Sequence, residues 1–170
     1  TVMASILKVN TIQDATNSNT AMTIDSSGRV TRSVLPSWRL GLTGNVDVSA
    51  TGLQVDWNKS STDQCFIQGG CSNSSGVVTV PVSGVYQINT TCRVNNVGTN
   101  YIELYIKVND DDDSIGYHIE GDPYSSYHSI SASETFSLSA NDNVRIRLYP
   151  GGDSSWQLHQ LSKFSGVMIG

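Results

Sequence analysis

Residues 74–94 read "SSGVVTVPVSGVYQINTTCRV", and the fold class turns on them. Val78 and Val80 share one face of a strand. Pro81 closes that strand, because proline has no N–H to give to a ladder. Ser83-Gly84 turns the chain. Beyond the turn Val85, Gln87 and Asn89 alternate with Tyr86, Ile88, Thr90 and Cys92. The second set is the apolar one, so it faces the core.

The same period of two runs outward in both directions. "SWRLGLT" (37–43) sets Trp38, Leu40 and Leu42 on one face, and "GLQVDWN" (52–58) sets Leu53, Val55 and Trp57 together. In "YIELYIKVN" (101–109) Ile102, Leu104, Ile106 and Val108 oppose Tyr101, Glu103, Tyr105 and Lys107. "DDDD" at 110–113 then makes a hairpin tip before "SIGYHIE" (114–120). "SYHSISASETFSLSAND" (126–142) is a long strand with a polar face and an Asn-Asp turn. "DNVRIRLYPGG" (142–152) puts Val144, Ile146 and Leu148 opposite Arg145, Arg147 and Tyr149, and "SKFSGVMIG" (162–170) closes the chain. No amphipathic helix is expected. Roughly eight to ten short strands with turns at this spacing mean an all-β sandwich, barrel or jelly roll.

The first 36 residues differ. "SILKVNTIQDATNSNTAMTIDSSGRV" (5–30) spaces short apolar pairs between Asn, Thr and Ser. It reads as extended or irregular, with a strand and a Ser-Ser-Gly turn near its end. Pro36 marks the boundary, giving an N-terminal segment of residues 1–36 and a head of residues 37–170. Ile6, Leu7, Val9, Ile12, Met22 and Ile24 are too few to form a core in one chain, so they are the candidate attachment residues.

Composition narrows the function. Of 170 residues only 15% are charged, against about a quarter in average domains, so the surface is built from Ser, Thr, Asn and Gly. The net charge is −5. Residues 1–36 hold three basic and two acidic residues, net +1, and the remainder holds seven and thirteen, net −6. Phosphate binding needs clustered Lys and Arg, so nucleic acid is not an expected partner. No apolar run approaches the roughly 20 residues of a membrane span, and the start lacks the pattern of a signal peptide. Neither membrane insertion nor a cofactor is expected.

With these residues in view, "SSGVVTVPVSGVYQINTTCRV" resembles the central motif of the C1q/tumour-necrosis-factor-like domain, where Pro-x-x-Gly-x-Tyr leads from one strand to the next. "FSGVMIG" (164–170) is similar to that family's last strand. The resemblance covers residues 37–170, carried by Pro81, Gly84, Tyr86, Phe164 and Gly166. It implies a ten-stranded jelly-roll β-sandwich that assembles as a homotrimer, with one sheet of each protomer packed around the threefold axis. No Gly-X-Y collagen repeat precedes it. Residues 6–30 in turn resemble the opening of small virion proteins of tailed phages, notably cyanophages. That implies a virion fibre, knob or capsid appendage, docked on other virion proteins through its N-terminal segment and contributing to host-surface adhesion. The alternative is a secreted or cell-surface C1q-like ligand-binding module.

No catalytic text appears: His118, His128 and His159 are scattered, and there is no G-x-S-x-G elbow. His128 near a threefold axis would make assembly pH-sensitive. Asp110, Asp111, Asp112 and Asp113 are a weak calcium candidate against the plainer reading of a solvated tip. Tyr124, Tyr127 and Trp156 are the candidate ligand-facing rings, since aromatic faces beside polar groups suit host-surface carbohydrate, against the plainer reading, for Trp156, of a ring packed in the core or subunit interface. Cys65, Cys71 and Cys92 read as small buried residues, with a Cys65–Cys71 pair left open.

Overall fold

The computed structural model describes residues 9–13, 20–32, 34–49, 51–62, 64–95, 101–109, 115–120, 127–151 and 156–170. The chain divides into two units, Thr1–Leu35 and Pro36–Gly170. The first contains β1 (Thr11–Gln13), β2 (Thr20–Ile24) and β3 (Val30–Arg32). They pair as an antiparallel three-stranded sheet in the order β1-β2-β3, a more regular arrangement than the extended or irregular segment expected. The β2–β3 turn is the Ser-Ser-Gly one. Gly28 takes φ 77° there, and Asp25 caps it, accepting from the Ser27 and Arg29 backbone N–H groups and from Arg29 Nε. These bonds hold the Asp25 carboxyl below its usual range, the Arg29 backbone bond first.

The second unit runs β4 (Ser37–Leu40), β5 (Val46–Asp47), β6 (Leu53–Gln54), β7 (Phe66–Gln68), β8 (Ser72–Ser74), β9 (Val77–Thr79), β10 (Gly84–Asn95), β11 (Tyr101–Val108), β12 (Ile115–Glu120), β13 (Tyr127–Leu138), β14 (Asn143–Pro150), β15 (Gln157–Leu158) and β16 (Lys163–Met168). Ten of these segments have three residues or more; β5, β6 and β15 have two. No helix occurs among the described residues.

The segments form two antiparallel sheets. In the larger, β10 pairs with β13 along its whole length on one side. On its other side it takes β16 and then β15, and β4 and β7 extend the sheet beyond β16. In the smaller, β14 lies between β11 and the short β9 and β6, with β12 beyond β11 and β8 beyond β9.

One core fills the space between the sheets. Tyr86, Ile88, Cys92 and Val94 from β10 meet Ile102, Leu104 and Ile106 from β11 and Val144, Ile146 and Leu148 from β14, all fully buried. The period-two alternation of each strand delivers these residues to one side. Three tryptophans, Trp38, Trp57 and Trp156, are also buried there. Phe164 bridges two of them, edge-on to Trp38 at 5.6 Å and tilted against Trp57 at 5.8 Å.

Candidate assembly face on the larger sheet

The side of β10 turned away from the core carries Val85, Gln87, Asn89, Thr91 and Arg93, and β13 answers with Ser137, Thr135, Ser133, Ser131 and Ser129. The central rows hold no charge. Their polar groups satisfy one another across the strands. Thr135 Oγ1 donates to Gln87 Oε1 at 2.8 Å, Gln87 Nε2 donates to Ser133 Oγ at 3.0 Å, and Ser133 Oγ donates to Asn89 Oδ1 at 2.7 Å. One row on, Ser131 Oγ donates to Thr91 Oγ1 at 3.1 Å. Polar groups already paired within a sheet lose less when water is removed than orphaned ones do. Such a face tolerates burial against another surface without being apolar.

Beside this ladder the face becomes apolar. Val167 on β16 is 38% exposed and Phe66 on β7 is 40% exposed. They flank a groove of about 260 Å³ whose walls include Ser37, Arg39, Asn89 and Ser165 and whose floor is Trp38 and Gly166. At the far end of β10 the Arg93 guanidinium lies 4.1 Å over the Tyr127 ring, which meets His159 edge-on at 5.9 Å.

The motif residues build the scaffold beneath this face. Tyr86 is fully buried and donates its hydroxyl to the Val82 carbonyl at 2.9 Å, and burial is the main cause that raises its phenol pKa. Pro81 follows β9 and ends it, while Val80 N donates to Asp142 O instead. At Gly84 a Cβ would meet Met168 Cε at 2.6 Å and the Gly170 carbonyl at 2.7 Å. At Gly166 it would meet the Trp38 ring at 2.3 Å. Both glycines are therefore required by close approach rather than by an unusual φ.

The other candidate residues are distributed differently. Trp156, expected as a ligand-facing ring, is a correction: it is 1% exposed and lies in the core, because a ring of that size beside Val48 and Leu158 gains more from burial than from solvent. Tyr127 is on the surface beneath Arg93. Tyr124 and Asp110 to Asp113 lie outside the described residues, as do Ile6 and Leu7. In the first unit Ile12 pairs with Met22, and Ile24 with Val30. Paired residues share a face, so these four make one apolar patch, with Ile12 46% and Val30 57% exposed. Val9 is half-buried.

His128 pairs with the core-facing Val94, so its register turns it to the core side of β13, opposite to Ser129 and Ser131. The three cysteines are free thiols. Burial pushes Cys92 up to about 12 and Cys71 up to about 11. No group of three or more His, Cys, Asp or Glu side chains suited to a metal ion occurs among the described residues.

Sequence reasoning did not single out Phe66, Val167 or the polar ladder. The signal was present at alternate positions 129–137, where Ser or Thr occurs every time.

The chain is similar to a solved structure described as "Structure of Eiger TNF from S. frugiperda", at 15% identity and a TM-score of 0.59, over 80% of this chain and 93% of that one. The likeness shows a TNF-like fold. No protein-family model and no curated protein matches the chain.

Proposed function

We propose that residues 37–170 form a non-enzymatic TNF/C1q-like binding head, a ten-stranded jelly roll that assembles as a homotrimer through the outer face of its larger sheet. One observation carries the reading. The face combines an internally satisfied, uncharged ladder with exposed Val167 and Phe66 around a groove. Polar groups that satisfy one another within the sheet lose little when water is removed, so these rows suit burial against another copy. The same face on two further copies supplies apolar area to cover, and cyclic symmetry closes the contact. Light scattering tests it: the expected mass is three times the 18.3 kDa chain, and a monomer mass overturns it.

A second reading concerns where the head works. The N-terminal phrase "ILKVNTIQDATNSNTAMTIDSSGRV" resembles tailed-phage virion proteins, and the patch of exposed Ile12, Ile24 and Val30 with half-buried Met22 suits docking on another virion protein. On this reading the protein is a virion fibre, knob or appendage component, and the head contributes adhesion to the host surface. Immunogold labelling of intact particles tests it, with label on the particle surface expected and none overturning it. The fold likeness itself favours the plainer half of the proposal, a ligand-binding module.

A further inference from the structure

Just beyond the paired part of β4 and β16, two lysines stand in one row with a glycine between them. β16 and β4 pair at Phe164 and Leu40, so the register carries Lys163 to the position opposite Gly41. On its other side Gly41 bridges Lys59. Gly41 N donates to the Lys59 carbonyl at 2.9 Å, and Lys59 N donates to the Gly41 carbonyl at 3.1 Å. Residues paired across antiparallel segments share a face. Lys59 and Lys163 therefore stand on one face across two strand spacings, about 10 Å. The missing side chain at Gly41 leaves a gap between them, and the Lys163 ammonium leans into it. A Cβ at Gly41 would lie 3.1 Å from Lys163 Nζ.

Both lysines line a cavity of about 300 Å³, together with Leu42, Gln160 and Leu161. That volume is at the lower end of the range for small-ligand pockets. Among the described residues no acidic side chain lines it. Lys163 Nζ donates to the neutral Ser162 carbonyl at 3.1 Å, which uses one of the three N–H donors of an ammonium. The turn that carries Gln160 is pinned. Gln160 N donates to Asn45 Oδ1 at 3.0 Å, and Leu161 N donates to His159 Nδ1 at 3.1 Å. Two like charges on the wall of one cavity repel each other, and an anion between them turns that repulsion into two attractions.

We propose that this cavity binds a phosphate group, free or as a monoester, held between Lys163 and Lys59. The occupant follows from the wall. A phosphate carries close to two negative charges at neutral pH, which matches two ammonium groups better than a single carboxylate does, and lysine binds phosphate as a point charge from many directions. Gln160 adds a side-chain amide with two N–H donors. Leu42 and Leu161 give the organic part of an ester an apolar wall to lie against.

Calorimetric titration of the full chain in phosphate-free buffer tests the proposal, with inorganic phosphate and glucose 1-phosphate as probes and acetate as the singly charged comparison. Both phosphate probes are expected to bind in the millimolar range or tighter and to weaken with added salt. Tighter binding of glucose 1-phosphate assigns the site to an ester, and the reverse order assigns it to free phosphate. Lys163→Gln and Lys59→Gln should each lose about tenfold in affinity, the equivalent of one charge-assisted hydrogen bond. Lys163→Arg, which keeps the charge, should retain binding. Arg39→Gln, on β4 but outside the cavity, should bind as wild type. Any one of three results overturns the proposal: no binding of either phosphate probe, acetate bound as tightly as phosphate, or affinity unchanged in both Lys163→Gln and Lys59→Gln. The cavity lies within one chain, so a monomer mass would sink the trimer reading without touching this result, and absent binding would leave the trimer standing.

Discussion

Gly166 on β16 is pressed against the Trp38 ring of the neighbouring β4, so that a Cβ at Gly166 would lie 2.3 Å from Trp38 Cζ2. The ring has nowhere to go. Phe164 meets it edge-on at 5.6 Å, Tyr86 lies tilted at 6.4 Å, and it is 1% exposed. Gly166→Ala should therefore destabilise the head by about 2–3 kcal/mol, the usual cost of forcing a packed core apart. The urea midpoint measures it. Trp38→Phe in the same chain removes the atoms that clash and should recover part of the loss. A Gly166→Ala midpoint equal to wild type would mean that the ring moves freely.

Val167 stands outward one residue beyond Gly166, paired with Gln87 on one side and Ser37 on the other. Val167→Glu puts an unpaired charge into the proposed interface, where a buried charge costs several kcal/mol. Light scattering should then give a mass of one 18.3 kDa chain. Gln54→Glu, on the smaller sheet, should keep the wild-type mass. Equal masses for Val167→Glu and wild type would remove this face from the assembly.

Much of the sandwich was legible because its strands are long and alternate cleanly. On β11 and β14 the faces read from the sequence, Ile102, Leu104 and Ile106 against Tyr101, Glu103 and Tyr105, are the faces the structure shows. Trp156 was not legible. Its neighbours Asp153, Ser154 and Ser155 are polar, so local pattern suggested a surface ring, while its burial comes from Val48, whose N–H donates to the Trp156 carbonyl. That partner is distant in sequence. The close approach of Tyr149 and Tyr101 to two glycines was hidden for a similar reason. Gly52 and Gly151 look like ordinary turn residues until pairing lays Tyr149 and Tyr101 over them.

The buried thiols predict an alkaline loss of stability. Burial raises Cys92 in the folded state from 9.0 to about 12, so between those values the unfolded chain holds fewer protons than the folded one. Stability is then full below about pH 9 and falls as pH rises toward 12, at up to about 1.4 kcal/mol per pH unit for this group. Cys71, raised to about 11 by burial, falls in the same direction. Urea midpoints between pH 8 and pH 10.5 should decline, and Cys92→Ala should flatten the decline while lowering the midpoint at pH 8. A Cys92→Ala profile parallel to wild type would assign the loss to other groups. Iodoacetamide at pH 8 should label Cys92 only after unfolding.

The first unit, Thr1–Leu35, sets its apolar side chains on one face of a three-stranded sheet. Ile12 opposes Met22 and Ile24 opposes Val30, yet Ile12, Ile24 and Val30 all remain exposed. So small a sheet has little apolar area of its own to bury and needs another surface for stability. Removing residues 1–35, which takes the whole first unit and none of the head, should therefore leave the head's urea midpoint within about 0.5 kcal/mol of the full chain, the usual range for changes away from a core. The head should also keep its mass in solution. On the virion reading, mass spectrometry of particles assembled without those residues should no longer find the head. Ile12→Asp with Ile24→Asp, which spoils only the exposed patch, should reproduce that loss without changing the head's mass. A head that unfolds on the deletion would place the boundary elsewhere, and full incorporation of the double Asp variant would take the patch out of the attachment.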